Sequence, residues 1–188
     1  MKAIYLLLIS LLILFSGCKT IRPVADIKPD DMHTPQSVNE VAPPVIDFSE
    51  QSTWLLGYFR KDQLVREPYS SWYIKGYDEY QFNSEIVNNL SDISKDGVTI
   101  KIVMGTWCSD SRREVPRFMR ILDLWKFPLS DVTFIGVDIA KLSPIGEYEK
   151  LDIRRVPTFI IYKNNIEAGR IIENPTTSLE QDMVNILK

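Results

Sequence analysis

Histidine and cysteine are nearly missing from this sequence. Its 188 residues include one histidine and two cysteines, so thiolate and imidazole ligands for a zinc site cannot be gathered within one chain. No run of five or more like charges occurs, and the formal charge is −3. A phosphate-binding face needs a concentrated basic surface, so nucleic acid is not expected as a partner. No apolar stretch reaches the roughly 20 residues that a membrane-spanning helix requires. The length suits one domain with appendages, and 45% apolar with 25% charged residues is ordinary for a globular chain. No constellation of residues asks for a metal or another cofactor.

The N-terminus carries a positive Met1-Lys2, then an almost wholly apolar Ile4 to Phe15, then Ser16, Gly17 and Cys18. A short apolar run closing on small residues is the pattern of an export signal. The small-small-Cys ending resembles a bacterial lipobox, although Phe15 stands where leucine is more usual. The resemblance implies removal of residues 1–17 and diacylation of Cys18, which would anchor the chain to a membrane. Lys19 supplies no inner-membrane retention cue, so the expected location is the cell envelope, on the periplasmic face of the outer membrane. The alternative is an ordinary cleaved signal or short anchor with an incidental cysteine. With lipid on Cys18, Cys108 is the one free thiol and an internal disulfide is excluded. A lone thiol in an exported protein is notable because oxidising compartments favour pairing.

Residues 18–48 read as a tether. Pro23, Pro29, Pro35, Pro43 and Pro44 are mixed there with polar residues, a composition that stiffens a chain without giving it a core. Residues 49–82 form an aromatic-rich extension with Trp54, Tyr58, Phe59, Tyr69, Trp72, Tyr73, Tyr77, Tyr80 and Phe82. Side chains of this size dock a short segment against an edge or face of a larger unit; the alternative is a platform for a peptide or glycan.

From residue 83 the periodicities are regular. Helices are predicted over 83–93, 109–125, 145–151 and 178–187, the second with Pro116 inside it as an expected kink. Strands are predicted over 98–104, 132–137, 158–162 and 166–172, the last two joined by an Asn164-Asn165 turn. Alternation of helix and strand points to parallel strands with right-handed crossovers, and the terminal hairpin makes the sheet mixed. The expected fold class is α/β, a mixed central sheet with helices on both faces.

The chemistry is concentrated where the first strand gives way to the long helix, at Trp107-Cys108-Ser109-Asp110-Ser111. Unpaired N–H groups of a first helical turn and the positive end of its dipole stabilise a thiolate, and the thiolate is the nucleophile of disulfide exchange. Asp110 should oppose that charge, while Arg112 and Arg113 should favour it. The plain alternative is a small buried hydrophobe, common for free cysteine.

These residues resemble the Trp-Cys-x-x-Cys motif of the thioredoxin family. Pro116 matches the proline within that family's active-site helix, and Arg155-Val156-Pro157-Thr158-Phe159 resembles its cis-proline loop. The resemblance covers residues 83–188 and implies a thioredoxin-like fold. Cys108 would be the attacking cysteine with Trp107 beside it. Pro157 would be cis, and the loop at Val156 and Thr158 would hold an extended substrate. Two departures accompany it. Ser111 stands in place of the resolving cysteine, and Ile102, with Lys101 beside it, stands where redox members carry a buried acid. A site of this kind implies monothiol exchange or isomerisation, with thiol- or disulfide-containing proteins or low-molecular-weight thiols as partners. A non-redox binding module and an anchored member of a heteromeric redox relay are the other readings.

Overall fold

The computed structural model describes residues 46–188. The export signal, Cys18 and most of the tether lie outside the described residues. Five strands form one sheet: β1 (Gly57–Phe59), β2 (Val98–Met104), β3 (Val132–Gly136), β4 (Thr158–Lys163) and β5 (Ile166–Ile172). Their spatial order is β1-β3-β2-β4-β5. β2 and β3 are parallel, with Ile102 opposite Phe134, and the other pairs are antiparallel. The helices are α1 (Lys61–Leu64), α2 (Ser70–Asp78), α3 (Ser84–Ser91), α4 (Ser109–Leu124) and α5 (Leu179–Leu187).

Strand alternation separates two faces. Ile100, Ile102 and Met104 of β2 share one face with Phe134, Phe159 and Ile161. Phe118, Met119 and Leu122 of α4 meet them there, with Leu90 of α3 and Leu179 and Met183 of α5. Phe118 and Phe159 stack at 4.2 Å. The opposite face offers Val103, Ile135 and Ile160 and is covered by Tyr148, Leu151 and Val156. The helix caps follow from local chemistry. The Asn83 side chain accepts the N–H groups of Glu85 and Ile86 at the start of α3. Ser178 does the same for Gln181 at the start of α5. Each satisfies donors that a helix start leaves unpaired.

Three differences from the sequence-based expectation have physical causes. The helix expected over 145–151 is a single 3-10 turn, Tyr148–Leu151, flanked by Glu147 and Asp152 at φ 59° and 45°. Pro144 and Gly146 precede it, both unfavourable to a longer helix. Without a full crossover helix, β4 returns antiparallel to β2 rather than parallel. Finally, the aromatic segment supplies sheet and helix of its own: β1 is too short to show a period, and α2 packs against α4. Tyr69, Tyr73 and Leu64 from this segment are buried in the main core.

Close approach of the segment to the sheet is written into Gly136. A Cβ there would collide with the backbone carbonyl of Leu55, and rigid backbone cannot give way as a flexible side chain can. Gly136→Ala should therefore cost about 1–3 kcal/mol, the usual range for overpacking. Gly146→Ala, where a Cβ would meet nothing within 4 Å, is the matched comparison. Thermal melts of the two variants check this; equal melting temperatures would remove the argument.

Candidate functional site

β2 ends at Met104 and α4 begins at Ser109, so Gly105 to Cys108 must turn the chain from sheet to helix. The turn closes with the Cys108 N–H donating to the Gly105 carbonyl at 3.0 Å. Cys108 is the N-cap of α4, with extended backbone at φ −82° and ψ 124°. Its own carbonyl accepts the Arg112 N–H at 3.0 Å, the first bond of the helix. The side chain is half-buried, and the thiol donates to the Val156 carbonyl oxygen at 3.3 Å.

That carbonyl belongs to a cis Val156–Pro157 peptide bond. The loop carrying it is fixed from both sides. The Thr158 hydroxyl donates to the Arg155 carbonyl at 2.7 Å, and the Glu173 N–H donates to the Pro157 carbonyl at 2.7 Å. Trp107 is half-buried, with its indole N–H donating to the Val137 carbonyl at 2.9 Å. The fold thus brings together Trp107, Cys108, Val156 and Pro157, which are far apart in sequence. Ser111 is treated differently. It is fully buried, and its hydroxyl accepts the Gly105 N–H at 3.3 Å. It braces the turn, and no hydrogen bond joins it to the Cys108 sulfur. Thr158 is likewise buried with its hydroxyl committed inside its own loop. Ile102 lies in the apolar core.

The charges beside Cys108 are sorted by pairing. Asp110 and Arg113 meet at 2.7 Å. Arg113 also donates to the buried Glu114 at 2.6 Å, and Arg117 reaches the same carboxylate at 3.1 Å. The hydrogen bond to Glu114 raises the pKa of Arg113, with Asp110 adding to it. Asp110 and Arg113, expected to act on a thiolate in opposite directions, largely answer each other in the fold. Arg112 has a different environment. One guanidinium nitrogen donates to the carbonyls of Thr106 and Trp107 at 3.0 and 3.1 Å, and the Phe48 ring lies 4.7 Å from the guanidinium carbon. Burial pulls its pKa down, and the Cys108 sulfur opposes this.

Two contributors could not be read from sequence. Thr106, almost fully buried, donates to the Thr53 carbonyl at 2.9 Å and accepts the Leu55 N–H at 3.3 Å. Trp54 lies 6.5 Å from Trp107 between ring centroids and donates its indole N–H to the Phe48 carbonyl. A cleft of about 330 Å³ lies here, lined by Phe48, Trp54, Trp107, Arg112 and Ile139 among others. The only signal for it was the density of aromatics, which marks docking but not the place of docking. On the far side, Tyr148 donates to the Lys141 carbonyl and steadies the turn after β3. Burial, with Asp138 nearby, pushes its pKa up to about 12.

Among proteins of known identity, a Coprinus comatus thioredoxin is 29% identical over 100 residues, covering 51% of this chain and 91% of that protein. Thioredoxin H5 of Oryza sativa subsp. japonica is 26% identical over 95 residues, covering 50% of this chain and 66% of the relative. A crystal structure of a Pseudomonas aeruginosa protein of unknown function matches with a TM-score of 0.53 at 10% identity, covering 69% of this chain and 91% of that one. No protein-family profile matches the sequence. The fold is thioredoxin-like, and over about half of its length the sequence is similar to thioredoxins.

Gly105 sits directly beneath Trp107: a Cβ there would lie 2.5 Å from the indole ring. Gly105→Ala should therefore push Trp107 off the Val137 carbonyl while the sheet persists. Tryptophan emission should change with far-UV circular dichroism retained. An unaltered emission spectrum would show that the ring is not held in this way.

Proposed function

Starting from a thioredoxin-like domain whose sequence relatives are thioredoxins, we propose that this protein carries out thiol–disulfide exchange through Cys108 alone. The observation that carries the reading is the half-exposed sulfur at the amino end of α4, opposite the cis peptide of Val156 and Pro157. Thiol–disulfide redox chemistry is supported at the level of the relatives.

The Cys108 thiolate attacks one sulfur of a substrate disulfide. A new bond forms between Cys108 and that sulfur, the old sulfur–sulfur bond breaks, and the departing sulfur leaves with the electron pair as a thiolate. The free N–H groups of the first turn of α4 stabilise the attacking charge. The Val156 carbonyl, which accepts the resting thiol, orients it. Ser111 has no sulfur with which to attack the mixed disulfide, so release requires a second thiol from the substrate, a partner protein or a low-molecular-weight thiol. This arrangement suits isomerisation and removal of thiol adducts better than unaided two-electron reduction. Export and a lipid on Cys18 would put this activity at the cell envelope, on the periplasmic face of the outer membrane. The aromatic cleft beside Trp107 favours one second reading, a non-redox module that binds extended peptides.

In an exchange assay with a protein disulfide and added glutathione, Cys108→Ser should fall to the uncatalysed rate. The wild-type protein without added thiol should accumulate a reducible adduct at Cys108, and Ser111→Cys should discharge it. Full activity of Cys108→Ser would reject the exchange mechanism and leave the binding module. A separate fractionation tests the anchor. Cys18→Ser should move the protein from the membrane pellet to the soluble fraction; equal partition of both forms would rule the lipid out.

A further inference from the structure

Arg112 is the unpaired arginine of the turn that carries Cys108. Among the described residues it makes no ion pair, whereas Arg113, Arg117 and Arg155 nearby each hold a carboxylate. It is half-buried, and Phe48 covers one face of its guanidinium. Removing a cation from water without a counter-charge is unfavourable, so this placement needs compensation. Part comes from the Phe48 ring, since a cation over an aromatic face is attracted by the ring's quadrupole. Part comes from the two carbonyls it bridges. Those carbonyls, of Thr106 and Trp107, are the two immediately before Cys108. Arg112 itself is held by its N–H to the Cys108 carbonyl. The side chain therefore closes a loop around the reacting residue from the first turn of α4.

We propose that Arg112 is a positioning residue for Cys108, which clamps the backbone leading to the sulfur and keeps an unneutralised positive charge beside it. The inference rests on Cys108 being the reacting atom. Phe48 belongs to a segment outside the thioredoxin resemblance, so the clamp is an addition to the shared site. It shields the guanidinium from solvent and so preserves its field at the sulfur, because a charge acts more strongly where the effective dielectric is low. Asp47 lines the same cleft but is exposed and accepts the Ser49 N–H at 2.8 Å. The sulfur should therefore react preferentially with negatively charged partners.

Paired alkylation of the full chain tests this, with adducts quantified on the Cys108 peptide. Iodoacetate is anionic and iodoacetamide neutral, so the ratio of their rate constants reports local charge while thiolate fraction cancels. In the folded wild type the ratio should exceed that of the same chain unfolded in urea. Arg112→Gln should lower it about threefold, the order expected for loss of one nearby unit charge in a partly aqueous setting. Arg112→Lys, which keeps the charge, should restore most of it while tryptophan emission still departs from wild type. Phe48→Ala, which exposes the guanidinium, should lower the ratio part of the way and serves if Arg112→Gln does not fold. An unchanged ratio in folded Arg112→Gln, or in Phe48→Ala where Arg112→Gln is unfolded, would overturn the proposal. The readout needs no exchange activity. An inactive protein with an Arg112-dependent ratio would defeat the redox reading alone, and an active protein with an independent ratio would defeat this one alone.

Discussion

The passage from β2 into α4 is the constraint on which the site depends. Gly105 to Cys108 must end a buried parallel strand, reverse the backbone direction and expose the start of a long helix. Each group that could make the turn ambiguous is committed. The Gly105 N–H goes to Ser111, its carbonyl takes the Cys108 N–H, the Thr106 hydroxyl is tied to Thr53 and Leu55, and the Trp107 indole reaches Val137. A fully paired turn of this kind leaves one side chain without a structural partner of its own element. The sulfur of Cys108 is that side chain, and it turns to the neighbouring loop at Val156.

Ser111 has a structural role. Its hydroxyl is a buried hydrogen-bond acceptor that holds Gly105. A buried N–H left without a partner is costly. The Ser111 hydroxyl therefore serves the turn itself. The arginines show the same economy. Sequence placed two of them beside Cys108 with equal standing, but Asp110 and Glu114 bind Arg113, leaving Arg112 to act on the sulfur.

Much of the fold was legible because its signals are local. β2 and the β4–β5 hairpin at Asn164-Asn165 follow from branching, turn residues and spacing in the sequence. The meeting of Cys108 with Val156 and Pro157 was legible only through resemblance, since nothing local joins residues so distant in the chain. At Tyr148–Leu151 the breakers Pro144 and Gly146 were there to be read, and the apolar spacing outweighed them in the reading. The short β1 was not legible, because three residues show no period and their conformation is decided by tertiary fit. The ties from Thr53, Leu55, Phe48 and Trp54 to the reactive turn were illegible for the same reason. Backbone carbonyls provide many of those contacts, and a carbonyl has no residue identity to read.

The antiparallel seat of β1 on β3 has a consequence for where this domain begins. Similarity to thioredoxins covers about half of the chain, yet β3 is an inner strand only because Gly57 to Phe59 lies beside it. A fragment cut at the limit of the resemblance would present β3 as a bare sheet margin, with unpaired N–H and carbonyl groups next to the apolar surface that Tyr69 and Tyr73 now cover. Such margins recruit other chains and promote aggregation. The sheet is thus complete only with the aromatic segment, which seals its margin as well as framing the cysteine.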